Sequence, residues 1–81
     1  MTPFAERLFL LRNDRAFTRR EMADYLCTHI KTYQNWEYGN AEPSFQHLIA
    51  ISEKLDCTID YLIKGDSLPT NPTKTTQNEQ N

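Results

Sequence analysis

The stretch Thr18-Arg19-Arg20-Glu21-Met22-Ala23-Asp24-Tyr25-Leu26, followed closely by Thr32-Tyr33-Gln34-Asn35-Trp36-Glu37-Tyr38-Gly39, decides the fold. Thr18 and Glu21 have the spacing of a capping box, in which the hydroxyl accepts from the Glu21 N–H and the carboxylate accepts from the Thr18 N–H. Phe17 and Met22 stand where a hydrophobic staple fixes the entry of a helix. Met22, Ala23 and Leu26 form an inward stripe at helical spacing, with Arg19, Arg20 and Asp24 facing out. The small Ala23 lets a second helix approach closely. The first helix should stop near Leu26, leaving Cys27-Thr28-His29 as a tight turn.

The second helix begins after Thr28 or His29, Thr28 being the better capping residue by chemistry. Gly39 reads as its left-handed C-terminal residue, and Pro43 follows in the loop. Tyr33, Trp36 and Glu37 share one face, while Ile30, Lys31, Gln34 and Asn35 share another that is displaced toward solvent. Ammonium and amide groups bond purine edges, and an exposed branched aliphatic packs on a thymine methyl. Most outward polar stripes are merely solvated. Here the preceding helix and the short turn make a helix-turn-helix, whose second helix fits a DNA major groove.

Three further helices surround this pair. Thr2-Pro3 is a cap with proline at the first helical position, and Phe4, Ala5, Leu8 and Leu11 mark the buried face of a helix to about Asn13. Ser44 caps a helix whose stripe is Leu48, Ile51 and Leu55, ended by Asp56. Thr58 caps a short helix from Ile59 to Lys64, closed by Gly65. The expected fold is all-α, one domain over residues 1–65. Residues 66–81, with one large aliphatic and mostly Thr, Asn and Gln, are too polar to offset their ordering entropy and are expected to be a disordered polar tail or linker.

The chain has 81 residues and a formal charge of −2. A groove-binding domain should carry a basic footprint. Residues 1–40 hold Arg7, Arg12, Arg15, Arg19, Arg20 and Lys31 against Glu6, Asp14, Glu21, Asp24 and Glu37, so the first half is locally positive if Glu21 and Glu37 are used internally. No secretion signal or membrane-spanning run is present, which points to the cytoplasm and no membrane partner. Cys27 and Cys57 are then expected to be buried, reduced thiols. A zinc site from Cys27, His29, His47 and Cys57 lacks both a Cys-x2-Cys and a His-x3-His pair. No Ser/His/Asp set, paired carboxylates or glycine-rich phosphate loop argues for an enzyme, and no cofactor is implied.

Taken in order, Phe4-x3-Leu8-x2-Leu11-Arg12, Thr18-x2-Glu21-Met22-Ala23-x2-Leu26, Trp36-Glu37-x-Gly39-x3-Pro43-Ser44 and Leu48-x6-Leu55-x2-Thr58-x2-Tyr61-Leu62-x2-Gly65 resemble the lambda-repressor and Cro (Xre-type) family of bacterial and phage transcription regulators. The resemblance runs from about Phe4 to Gly65. It implies a five-helix lambda-repressor-like DNA-binding domain that binds palindromic operator DNA as a homodimer. It also implies a recognition helix from about Ile30 to Tyr38, capped at His29. By position, Arg19 and Lys31 match common DNA contacts, Ile30, Gln34 and Asn35 match base-facing places, and Asn40 matches a backbone contact. The family pattern pairs Arg12 with Glu37 in a partly buried ion pair. Tyr33 and Trp36 are expected in the core, Arg20 as a solvated flank, and His47 as a half-exposed residue without special chemistry.

This sequence departs from the family pattern at the turn, with Cys27 where glycine is usual, Thr28 where valine is usual and His29 where serine is usual. A left-handed conformation at Cys27 would be strained. Phe45, Ile49, Ile59 and Ile63, with Leu68, exceed what a small core needs and suggest a dimer patch, in keeping with the family's use of its C-terminal helices for pairing. The same surplus, with the acidic second half, also fits a protein-interaction module that binds an antirepressor or a toxin and has little DNA affinity.

Overall fold

The computed structural model describes residues 2–65; the expected tail at 66–81, including Leu68, lies outside the described residues. Five helices follow in order: α1 (Pro3–Asp14), α2 (Arg19–Tyr25), α3 (Ile30–Tyr38), α4 (Phe45–Leu55) and α5 (Ile59–Lys64). Every helix start except that of α3 is written locally. Thr2, Thr18, Ser44 and Thr58 each accept a hydrogen bond from the N–H three residues on, and Thr18 with Glu21 completes the capping box. Such a cap contributes about 1 kcal/mol by occupying an orphan donor of the first turn.

Four helices end alike. The N–H groups of Ala16 and Phe17 return to Asn13 and Arg12, those of Cys27 and Thr28 to Asp24 and Ala23, those of Gly39 and Asn40 to Trp36 and Asn35, and those of Asp56 and Cys57 to Glu53 and Ser52. This is the Schellman closure, which needs one residue in the left-handed region. Gly39 adopts it at φ 82° without strain, whereas Ala16 (62°), Cys27 (55°) and Asp56 (54°) are L-residues held there. Gly39 is also favoured by a close approach of another segment. A Cβ at that position would stand 3.2 Å from the Thr2 backbone nitrogen, because the start of α1 abuts the end of α3.

The core joins Leu8 and Leu11 of α1, Met22 and Ala23 of α2, Leu26, Tyr33 and Trp36 of α3, Ile51 and Leu55 of α4, Cys57, and Leu62 of α5. Helix α1 packs on both α3 and α5, and α3 in turn packs on α2. Arginines in α1 and at its C-cap reach the ends of other helices. Arg7 donates to the Leu62 and Ile63 carbonyls at the end of α5, and Arg15 donates to the Leu55 carbonyl at the end of α4. A cation at a helix C-terminus satisfies orphan carbonyls and complements the helix dipole. Lys54 ties α4 to the helix-turn-helix, its ammonium 4.5 Å from the Phe17 ring centroid and 4.8 Å from that of Tyr25.

Cys57 is buried, as expected, and desolvation pushes its thiol up to about 11. Cys27 corrects its expectation. It is exposed, because the left-handed turn residue points away from the α2–α3 contact that buries Ala23 and Leu26. Among the described residues no helix is long and apolar enough to cross a membrane, and no cluster of three or more His, Cys, Asp or Glu could hold a metal ion.

Candidate nucleic-acid interface

The inner face of α3 is anchored before its outer face can do anything. Tyr33, Trp36 and Glu37 are all buried, with Tyr33 and Trp36 in an edge-to-face contact at 5.8 Å. The Glu37 carboxylate, fully buried, takes hydrogen bonds from three side chains. Arg12 donates from Nε to Oε2 at 2.6 Å and from Nη2 to Oε1 at 3.2 Å, Tyr33 donates from its hydroxyl to Oε2 at 2.6 Å, and Arg19 donates from Nε to Oε1 at 2.9 Å. Burial by itself would raise this carboxyl, but the bonds from Arg12, Tyr33 and Arg19 outweigh it and hold it below the usual carboxylate range. The rotation of α3 about its axis is therefore set by a polar lock as well as by apolar packing.

With that face fixed, Lys31 is exposed on the outer side of α3, Gln34 and Asn35 are half-buried, and Asn40 is exposed in the loop beyond. Lys31 and Arg20 make no ion pair or hydrogen bond among the described residues, which leaves two cations beside this face. The positive balance inferred from residues 1–40 is smaller than a charge count suggests. Arg7 and Arg15 are used at helix ends, Arg12 on Glu37, and the Nε of Arg19 on Glu37 as well.

One sequence reading changes here, and a second gains a partner. Ile30, read as an exposed aliphatic, is half-buried and packs against the core, since the first turn of α3 leans on the preceding turn. Arg19, matched by resemblance to a DNA contact, has its Nε bonded to Glu37 and its Cζ 5.6 Å from the Tyr38 ring centroid, with its other nitrogens unpaired among the described residues. His29 precedes α3 with no side-chain cap, so the first N–H groups of α3 are left to water or to an anion.

Sequence reasoning missed two residues. Tyr38 is half exposed at the end of α3, and its spacing from Lys31 and Asn35 by seven and three already marked it as sharing their face. His47 is not an idle helix residue. Its Nδ1 exchanges a hydrogen bond with the Ser44 hydroxyl at 3.0 Å, and its ring lies 5.1 Å from Trp36, joining the start of α4 to α3. On the remaining side, Phe45 and Ile63 are 68% and 50% exposed, and Ile49 and Ile59 are half-buried. Phe4, Glu42, Pro43, Leu48 and Ile63 line an open pocket of about 190 Å³.

Comparison with known proteins agrees with this architecture. The helix-turn-helix family model HTH_3 matches residues 8–62. The HTH-type transcriptional regulator YqaE of Bacillus subtilis (strain 168) is 41% identical over 64 residues, which cover 79% of this chain and 55% of that protein. The SPbeta prophage-derived regulator YonR of the same organism is 36% identical over 62 residues, covering 76% and 57%. The chain thus spans little more than half the length of these relatives. The crystal structure of the phage P22 c2 repressor protein in complex with synthetic operator 9T superposes with a TM-score of 0.75 at 27% identity, covering 82% of this chain and all of that one. With the family model matching over more than half of its length, and with five helices arranged as in a repressor domain, the chain belongs to the HTH_3 family of helix-turn-helix proteins.

Proposed function

We propose that this chain is a sequence-specific DNA-binding transcriptional regulator, a repressor of the phage-repressor and Cro type, acting in the cytoplasm on palindromic operator sites. The observation that carries the reading is the polar lock on Glu37. It anchors one face of α3 so that Lys31, Gln34 and Asn35 are presented together on another. Gln34 and Asn35 suit adenine edges, and Lys31 suits a guanine edge or a phosphate. Arg20 and Asn40 flank α3 as candidates for the DNA backbone, and the uncapped start of α3 is a further place for a phosphate. The likeness to a repressor solved on operator DNA supports the same assignment.

Few cations beside α3 are wholly free of internal partners among the described residues, which makes a weak monomeric binder, since phosphate neutralisation supplies much of the affinity. A homodimer through Phe45, Ile49, Ile59 and Ile63 doubles the contacts and sets two recognition helices about 34 Å apart, one duplex turn. Selection of duplexes from a random pool, followed by binding at increasing salt, tests the function. A palindromic consensus bound with a steep salt dependence is the expected result. Absence of an enriched sequence, with salt-independent binding to a protein, would replace this reading with the interaction-module one.

A further inference from the structure

The Arg19 guanidinium is held by three groups at once. Its Nε donates to Glu37 Oε1 at 2.9 Å, and its Cζ lies 5.9 Å from the Phe9 ring centroid and 5.6 Å from that of Tyr38. Both ring distances fall within cation–π range. Glu37 cannot follow a wandering arginine, because Arg12 and Tyr33 hold it as well. The Nη1 and Nη2 edge has no hydrogen-bond partner among the described residues, and the side chain is 32% exposed. A guanidinium has five N–H donors in a planar fork. One of them is used here, so the open edge retains the geometry that takes two oxygens of a phosphate.

We propose that Tyr38 is a positioning residue for DNA binding, its ring holding the open edge of Arg19 in place to receive a backbone phosphate. The proposal rests on the DNA-binding reading above and adds to it a residue that does its work through another. A loose surface arginine loses rotamer freedom when it engages a ligand, whereas one already stacked and tethered loses less. Phe9 shares the stack, but its ring also lies 5.6 Å from the Arg12 Cζ, so altering Phe9 disturbs the buried pair. Among the described residues Tyr38 meets Arg19 alone of the cations, and it is half exposed, so its ring can be changed with little effect on the core.

The test uses the full chain and a duplex selected from the random pool. Binding is measured across a series of KCl concentrations for the wild type, Tyr38→Phe, Tyr38→Leu, Arg19→Ala and the Tyr38→Leu/Arg19→Ala double variant, with melting curves to confirm folding. Arg19→Ala should lower the salt slope by about one unit. Tyr38→Leu, which keeps apolar bulk but has no π face, should weaken binding about 3- to 10-fold and move the slope toward that of Arg19→Ala. Tyr38→Phe should retain the wild-type slope, and Tyr38→Leu should add little once Arg19 is gone. If Tyr38→Leu does not fold, Tyr38→Gln is the substitute with the same expectation. Wild-type protein without salt-dependent duplex binding would overturn the DNA reading and this proposal with it. Salt-dependent wild-type binding would preserve that reading while overturning the proposal in any of three cases: independent effects of the two residues, a Tyr38→Phe loss equal to that of Tyr38→Leu, or an unchanged slope for Arg19→Ala.

Discussion

Arg12 and Glu37 meet through two parallel hydrogen bonds across twenty-five residues of sequence, in a site where the carboxylate has no exposed surface. The pair does not act alone. Arg12 Nη1 also donates to the Phe17 carbonyl at 2.8 Å, so one guanidinium ties α1 to the lead-in of α2 and to α3. Removing Arg12 takes away two of the four hydrogen bonds to a buried carboxylate, leaving those from Arg19 and Tyr33. Removing Glu37 leaves the buried Arg12 without its counter-charge. Either change is a larger effect than losing a surface ion pair.

Arg12→Ala should therefore cost about 3 kcal/mol of unfolding free energy in a urea titration. A loss below about 1 kcal/mol would mean that the pair behaves as a surface contact.

Acid should weaken the fold through Glu37. Its folded-state carboxyl titrates below its unfolded value, so the stabilisation is present above the unfolded pKa of about 4.3 and is lost as pH falls from there through the folded value. Stability of the wild type and of Glu37→Gln, measured from pH 7 to pH 2, should converge at the acidic end. Parallel curves would assign the acid sensitivity to other carboxylates.

Cys27→Gly should stabilise the protein by about 1 kcal/mol, because an L-residue in the left-handed region bears a steric cost that glycine escapes. The Cys27 side chain is exposed, so little packing is lost with it. A lower melting temperature for the glycine variant would show that the thiol contributes more than its surroundings indicate.

Gln34→Ala and Asn35→Ala should each relax preference at one base pair per half-site by about 1–3 kcal/mol, with little change at other positions. Profiles across a randomised half-site measure this directly. Unchanged preference in both variants would mean that α3 does not read the sequence.

Phe45→Glu with Ile63→Glu should produce a monomer and weaken operator binding far more than binding to a single half-site. Sedimentation of the free protein and of its duplex complex checks this. A wild type that stays monomeric in both would remove the dimer from the account.

What the sequence made legible was local. Thr2-Pro3, Thr18-x2-Glu21, Ser44 and Thr58 announce helix starts, and Gly39 and Gly65 announce ends, because each signal acts within one turn of its own residue. The left-handed Ala16 left no such mark, since alanine is a strong helix former and nothing nearby contradicts it. Arg7 and Arg15 looked like surface cations because their carbonyl partners lie 55 and 40 residues away. The same distance effect hid the Arg19–Glu37 bond and the contact of His47 with Trp36. In the candidate interface, the helix and its outward stripe could be read from spacing. Which cations remain available for a ligand could not, because that depends on which carboxylates and carbonyls the fold brings to each.

The reach of the α1 arginines bears on how the protein comes into being on the ribosome. Arg7 in α1 and Arg15 just after it bond the carbonyls of Leu62 and Ile63 and of Leu55, forty or more residues further along the chain. They cannot complete these contacts until almost all of the described chain has been made. A chain still lacking residues 55–63 leaves these arginines without their carbonyl partners, so a partly made chain should be less stable than the whole described unit. A truncated product ending before α5 should be a target for proteases rather than a partly working regulator.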